Sequence, residues 1–90
     1  MKAAVHIIVI GLVQGVGFRY YVHRHASRFG IKGYVRNLYN GDVEIEAEGE
    51  RDALESFIRE VRIGPRAAYV TDMKITWKEA RETFLGFNID

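Results

Sequence analysis

The sequence predicts an α+β fold in which two helices pack on one face of an antiparallel sheet. Three observations support this prediction: a run of β-branched residues lies near the start, apolar residues recur at helical spacing in two segments, and they alternate with polar residues between these segments. A chain of 90 residues can bury one hydrophobic core but not two, so we expect residues 1–90 to form a single domain.

The first half is predicted to pass from a strand through a loop into a helix. β-Branched residues fill most of 4–10, which is typical of a strand covered on at least one face, and we expect this strand to end at Gly11. Glycines punctuate residues 11–17. From Phe18 the apolar residues recur at helical spacing up to Gly30, a residue suited to the end of a helix. These apolar residues are Phe18, Val22, Ala26 and Phe29.

A hairpin and a second helix are predicted next. Residues 32–37 and 43–47 are strand candidates, and the Asn40-Gly41 pair between them is typical of a hairpin turn, so the two strands should pair antiparallel. Residues 50–63 then have the helical period, and Gly64-Pro65 ends it. The residues on the apolar face of this helix are Leu54, Phe57, Ile58 and Val61.

Two more strands complete the predicted order. The segment 70–77 alternates and places on one face Thr71, Met73, Ile75 and Trp77. A shorter alternation at the end comprises Leu85, Phe87 and Ile89. The order strand, helix, strand, strand, helix, strand, with an extra short C-terminal strand, predicts a ferredoxin-like sandwich.

The composition restricts the classes of function. The formal net charge of +1 gives no electrostatic reason to expect a nucleic-acid or membrane-surface partner. The lack of cysteine excludes disulfides, thiolate catalysis and Cys-ligated zinc, and it fits a reducing compartment. The apolar run after Lys2 contains His6 and precedes no small-residue cleavage site, and no segment approaches the roughly 18 apolar residues of a membrane span. We therefore expect a cytoplasmic monomer.

The loop before the first helix is a candidate anion site. A strand that enters a helix through a short glycine loop directs backbone N–H groups and the positive end of the helix dipole to one point. Gly15 and Gly17 allow successive N–H groups to turn inward, and Arg19 adds a forked guanidinium. The glycines alone favour a purely structural turn, because the loop matches neither common glycine-rich nucleotide-binding motif.

The loop contains no nucleophile. Val13 stands where a cysteine phosphatase with this spacing to Arg19 would carry its cysteine, and the loop contains no Ser, Thr or Cys, so water must attack. The loop also lacks carboxylates and histidines, so the leaving group must depart with little proton assistance. A carboxylate can do so and an alkoxide cannot, which favours mixed anhydrides over phosphate esters.

Two segments resemble the signature motifs of the acylphosphatase family. They are Gly11-Leu12-Val13-Gln14-Gly15-Val16-Gly17-Phe18-Arg19 and Gly33-Tyr34-Val35-Arg36-Asn37. The resemblance covers nearly the whole chain, including Gly64-Pro65 and the Phe87-x-Ile89 ending. It implies a ferredoxin-like fold and the hydrolysis of a small-molecule acyl phosphate without metal or other cofactor, with inorganic phosphate or similar anions as site ligands.

The resemblance also implies residue roles. Arg19 would bind the phosphoryl group, and Asn37 would orient the attacking water. The implied phosphate-binding loop comprises Gln14, Gly15, Val16, Gly17, Phe18 and Arg19. Some relatives have a threonine after the asparagine, whereas this chain has Leu38 and so lacks that auxiliary hydroxyl.

The sequence also contains features of other functions. An RNA-binding module is the main rival, because residues 32–35 begin like the first motif of RNA-recognition domains, but Arg36 interrupts it and the paired stacking aromatics are missing. Carbamoyl phosphate is an alternative substrate, since similar domains occur at the front of larger carbamoyl-phosphate-handling proteins. His23 and His25 point about 200° apart on a helix and cannot share a metal ion, so we expect no metal site. The acidic strand face of Glu44, Glu46 and Glu48 is interpreted as a solvated surface.

Overall fold

The secondary-structure elements follow the predicted order in the computed structural model, which describes residues 1–90. They are β1 (Lys2–Leu12), α1 (Phe18–Arg28), β2 (Lys32–Asn37), β3 (Val43–Glu50), α2 (Arg51–Ile63), β4 (Tyr69–Lys78) and β5 (Phe87–Ile89). The helices have 11 and 13 residues, and neither is long and apolar enough to cross a bilayer.

The five strands form one sheet in the order β4-β1-β3-β2-β5. The four longer strands pair antiparallel, which confirms the predicted arrangement of two helices on an antiparallel sheet with an extra short strand. The extra strand β5 pairs parallel with β2, so the complete sheet is mixed. Nothing in the sequence indicates this partner, because residues 79–84, which lie between β4 and the terminal alternation, carry no strand pattern.

The first strand is longer than predicted and continues past Gly11 to Leu12. Its register with β4 shifts between Ile10 and Gly11. Gly11 has φ +137°, and a Cβ there would lie 2.1 Å from the Tyr69 carbonyl oxygen, so only glycine fits this close approach. The shift also changes the face of Thr71, which was predicted to lie with the apolar residues of β4. Thr71 is exposed, and its hydroxyl donates to the Ile10 carbonyl oxygen at 3.1 Å.

The core lies between the sheet and the two helices, as the apolar periods predicted. Seventeen buried residues form one cluster, to which β1 and β3 contribute alternate residues such as Ile7 and Ile45. From the helices, the fully or nearly fully buried residues are Phe18, Val22, Ala26, Leu54, Phe57 and Val61. Each large apolar side chain buried in this way contributes about 1.5–3 kcal/mol.

The topology brings three strand ends to the same edge of the sheet. β1 and β2 are both antiparallel to β3, so they run in the same direction, and β5 runs parallel to β2. Their C-terminal ends therefore lie on the same side. The loop after β1, Asn37 at the end of β2 and Ile89 at the end of β5 are brought together in this way.

Candidate active site

A cleft of about 220 Å³ lies at this edge of the sheet. Its lining residues are Val13, Gly15, Gly17, Phe18, Arg19, Tyr20, Asn37 and Ile89. The structure thus brings together five of the predicted site residues, from the loop, the start of α1 and the end of β2. Gln14 and Val16 do not line the cleft: the Gln14 side chain contacts the β2–β3 hairpin, and Val16 packs against the core.

The loop presents a row of free backbone amides. None of the N–H groups from Gln14 to Tyr20 donates to another backbone group, and the first that does is Tyr21, whose N–H donates to the Gly17 carbonyl oxygen at 3.1 Å. The N–H groups of the first helical turn have no partner within a helix for geometric reasons. Here the preceding loop extends this set of donors, which is the arrangement that binds anions at helix N-termini.

The glycines in this loop are required by the backbone conformation. Gly15 and Gly17 have φ +73° and +76°, in the left-handed region that favours glycine, although a Cβ at either would meet nothing within 4 Å. Gly17 is the N-cap of α1, and neither a capping side chain nor an acidic residue in the first turn neutralises the positive end of this helix. α2 differs, since Asp52 lies in its first turn.

Arg19 is held next to the loop by the end of the chain. Its side chain is half-buried, and Nη1 donates to the Asp90 carbonyl oxygen at 2.9 Å. A guanidinium has five N–H donors, so this bond leaves others available to an anion. The parallel pairing of β5 with β2 is therefore what places an acceptor beside Arg19.

Asn37 contributes a buried oxygen atom without a hydrogen-bond partner. Its Oδ1 is buried and bonds to no donor of the protein, although the residue as a whole is half-buried and lines the cleft. Leaving a buried polar group unsatisfied costs about 1–3 kcal/mol, so each such atom in a folded protein calls for a reason. A polar molecule bound in the cleft would provide the missing partner.

Three further residues line the cleft, namely Val13, Tyr20 and Ile89, and the sequence did not indicate the last two. Tyr20 is 77% exposed beside the loop, and Ile89 is 39% exposed at the end of β5. Tyr20 directly follows Arg19 and could have been found by its position in the first helical turn. Ile89 reaches the cleft only because β5 pairs with β2, for which the sequence carries no signal.

The two histidines considered as metal ligands, His23 and His25, do not line the cleft. His25 packs against Tyr21 with the rings tilted and their centroids 4.4 Å apart, and His23 packs edge-on against Phe87. Burial lowers the pKa of His25. No group of three or more potential metal-binding His, Asp or Glu side chains occurs in the structure.

The acidic face of β3 differs from the expected solvated surface, because each carboxylate has partners within the protein. Burial alone would raise the pKa of Glu44, but hydrogen bonds from His6 and Arg36 outweigh it and lower that pKa. Glu46 accepts from the Lys78 ammonium at 2.8 Å. Glu48 is buried and accepts two backbone N–H groups, those of Arg81 and Glu82.

The RNA-binding alternative requires an aromatic ring on this face that is free to stack on a base, and the structure offers none there. Tyr34 is the aromatic residue of the partial motif, and Phe84 packs edge-on against its ring with centroids 6.1 Å apart. The Arg36 guanidinium lies 5.8 Å from the same ring, and the Tyr34 hydroxyl donates to Glu44. A base that stacked here would have to displace these contacts and approach a carboxylate.

The fold and the cleft define a class of protein: a ferredoxin-like sandwich with a loop of unpaired backbone amides at the C-terminal ends of its parallel-running strands. The family model for acylphosphatase matches residues 5–89. The chain therefore belongs to the acylphosphatase family.

Individual relatives agree with this membership. The acylphosphatase of Chlorobaculum tepidum is 52% identical over 85 residues, which cover 94% of this chain and 92% of that protein. The crystal structure of acylphosphatase from Bacillus subtilis matches with a TM-score of 0.95 at 42% identity, covering 100% of this chain and 99% of that one. Full-length HypF in its phosphate- and nucleotide-bound form matches with a TM-score of 0.87 at 32% identity, covering 100% of this chain but 12% of that one.

Proposed function

We propose that the protein hydrolyses the carboxyl–phosphate anhydride bond of acyl phosphates, by direct attack of water and without a metal or other cofactor. The products are a carboxylate and inorganic phosphate. The observation that carries this proposal is the row of free amides from Gln14 to Tyr20, which borders the cleft that contains Arg19 and Asn37 with its unpartnered oxygen.

The amides and Arg19 bind the phosphoryl group. Its oxygens accept N–H groups of the loop, and the guanidinium donates to them in a forked geometry. Hydrogen bonds to a charged group contribute about 1.5–3 kcal/mol each, so a few amides together with Arg19 suffice to hold the dianion. In a loose phosphoryl-transfer transition state, catalysis consists mainly of such positioning and charge stabilisation.

Asn37 orients the attacking water. Its Oδ1 accepts a hydrogen from that water and so satisfies the buried acceptor that has no donor within the protein. The water oxygen attacks phosphorus, the bond from phosphorus to the acyl oxygen breaks, and the bonding electrons leave with the carboxylate. Both hydrogens of the water remain on the inorganic phosphate, which leaves as H₂PO₄⁻. No carboxylate or histidine lines the cleft to protonate a leaving group, so the site suits an anhydride and not an alkyl ester.

The test is the hydrolysis of benzoyl phosphate in the presence of excess chelator. We expect chelator-resistant turnover by the wild type, a loss of about 1,000-fold in Arg19→Ala and of about 100-fold in Asn37→Ala. Matched controls are Arg24→Ala and Asn88→Ala, which remove an exposed arginine of α1 and an exposed asparagine of β5 and should retain full activity. An inert wild type, or full activity in Asn37→Ala, would overturn the proposal.

Carbamoyl phosphate is a second candidate substrate. It is also a mixed anhydride, so its phosphoryl group would suit the same backbone amides and Arg19. Turnover of carbamoyl phosphate at a higher kcat/KM than acetyl and benzoyl phosphate would assign it as the preferred substrate. A lower value would favour carboxylic acyl phosphates.

We further propose that residues 1–90 act as one domain and as a monomer in the cytoplasm. Every group invoked above comes from one chain, so the site needs no second copy. The lack of cysteine suits a reducing compartment. Light scattering during size-exclusion chromatography tests the monomer: the 10.3 kDa mass of one chain is expected, and a dimer mass at the assay concentration would contradict it.

A further inference from the structure

The Gln14 side chain makes a pair of hydrogen bonds that the proposed mechanism does not use. Its Nε2 donates to the Leu38 carbonyl oxygen at 2.7 Å and to the Asp42 carbonyl oxygen at 2.8 Å. A side-chain amide has two N–H donors, and two carbonyl acceptors use both of them. Two acceptors at this atom also fix the orientation of the amide, since an oxygen in its place would face two other oxygens.

The two carbonyl groups form the neck of the β2–β3 hairpin. The Leu38 N–H donates to the Asp42 carbonyl oxygen at 2.9 Å, and the Gly41 N–H donates to the Leu38 carbonyl oxygen at 3.2 Å. Each carbonyl has two lone pairs, so Gln14 takes the second acceptor position of each. The hairpin neck is thereby joined to the loop that carries the free amides.

This connection acts next to Asn37. Asn37 is the last residue of β2 and directly precedes Leu38, whose N–H and carbonyl group both take part in the neck. Among residues 13–17, Gln14 is the residue whose side chain hydrogen-bonds to another part of the protein. The loop and the residues that follow Asn37 are therefore joined directly by one side chain, which does not line the cleft.

We propose that Gln14 is a positioning residue, which sets the place of the Asn37 amide relative to phosphate bound on the loop. The residue then has two separate roles: its backbone N–H faces the anion, and its side chain holds the hairpin. This inference rests on the proposed function, because it assigns to Gln14 the geometry between the phosphate and the water that Asn37 orients. A misplacement of about 1 Å between reacting groups can cost about 100-fold in rate.

The test is a double-mutant cycle with Gln14→Met, which preserves length and neutrality but removes both donors. We expect kcat for benzoyl phosphate to fall about 10-fold in the wild-type background and not to change further in Asn37→Ala, since the position of a missing amide no longer matters. The inhibition constant of inorganic phosphate should stay within about twofold, because the backbone amides and Arg19 remain.

Other results would overturn the inference. An unchanged kcat in Gln14→Met would do so, as would an equal loss of kcat in both backgrounds, which would mean that Gln14 acts independently of Asn37. If weaker inhibition by phosphate accounted for the whole loss of activity in Gln14→Met, Gln14 would shape the anion loop instead. If Asn37→Ala keeps full kcat, the proposed function fails, and this inference fails with it. If Asn37→Ala is inactive while Gln14→Met is fully active, the inference fails and the proposed function stands.

A second variant guards against misfolding. Gln14→Asn keeps the amide but is one methylene shorter, so it cannot bridge the two carbonyls, and we expect the same pattern of kcat and phosphate inhibition. Circular dichroism establishes that each variant is folded. The side-chain amide resonance of Asn37 in a ¹⁵N spectrum, recorded with phosphate bound, should shift in both variants, and an unchanged resonance in both would contradict the inference.

Discussion

Asn37→Ala should lower activity without lowering stability. Oδ1 of Asn37 is buried with no donor in the protein, and such an atom costs about 1–3 kcal/mol. Replacement by alanine removes this cost and loses about 1 kcal/mol of packing and strand preference, because the side chain is only half-buried and lies at the last position of β2. The free energy of unfolding should therefore stay the same or rise by about 1 kcal/mol.

Urea unfolding, followed by circular dichroism, measures this change. The urea concentration at the midpoint should stay the same or rise, and the m-value should not change. An unchanged m-value separates a change in stability from a change in the unfolded state. A gain of about 1 kcal/mol corresponds to about 4–8 °C in Tm for a domain of this size. Asn88→Ala, at an exposed position on β5, is the matched control and should lie within about 0.5 kcal/mol of the wild type.

A loss of more than about 1 kcal/mol in Asn37→Ala would refute this reasoning. It would mean that Asn37 supports the β2–β3 hairpin, and that its oxygen is not kept unpaired for a ligand. Reduced activity in the variant would then follow from a disturbed fold and would no longer speak for the orientation of water.

Three other predictions concern the loop, the helix and the sheet. Inorganic phosphate at 100 times its Kd should stabilise the wild type by about 2.7 kcal/mol, and Arg19→Ala should lose most of this gain at the same concentration. Burial lowers the pKa of His25 below 6.5, so the native state favours the neutral ring. Stability should therefore decline as the pH falls below 6.5, and His25→Phe should flatten this decline. Gly33→Ala should cost several times the roughly 1 kcal/mol expected for Gly15→Ala, because its Cβ would lie 1.8 Å from the Glu46 carbonyl oxygen.

Each of these three predictions has its own measurement and control. Thermal unfolding with phosphate, compared with the same ionic strength of chloride, isolates the phosphate effect, and an equal gain in Arg19→Ala would contradict the predicted anion site. Urea midpoints from pH 8 to pH 5 test His25, with His23→Phe as the control, and parallel curves for the wild type and His25→Phe would show that another group causes the decline. For the glycines, equal losses at both positions would exclude a clash with Glu46 as the cause.

Periodicity predicted the elements well because each strand and helix buries one face. Ile7 and Ile45 on the strands, and Phe57 on α2, occur at the spacing that their elements require, and all three are fully buried. Thr71 was misplaced because a bulge shifts the register opposite Gly11, and a pattern of alternation carries no sign of such a shift. The register of a strand pair is set by both partners, whereas periodicity describes one strand at a time.

The candidate site was predictable only in part. Arg19 and Asn37 were named from the family motifs, and their meeting in one cleft follows from the common direction of β1 and β2. The Gln14 side chain was not assigned a role, because its acceptors are backbone carbonyls 24 and 28 residues away that no side-chain pattern reveals. The acceptor of Arg19 on β5 was missed for a similar reason, since the parallel pairing of that strand depends on the path of residues 79–86.

A loop that binds its ligand through backbone amides can use its side chains for other contacts. Val13 and Phe18 are each 1% exposed and fix the two ends of the loop in the core, while the Gln14 side chain holds the hairpin. Gly15 supplies a backbone conformation that side chains rarely adopt. In the mechanism proposed above, the binding groups are N–H groups that every residue type except proline carries, and the sequence determines only their direction. Under that mechanism the motif from Gly11 to Arg19 needs a charged side chain only at Arg19, and its other positions are glycines, apolar residues and Gln14.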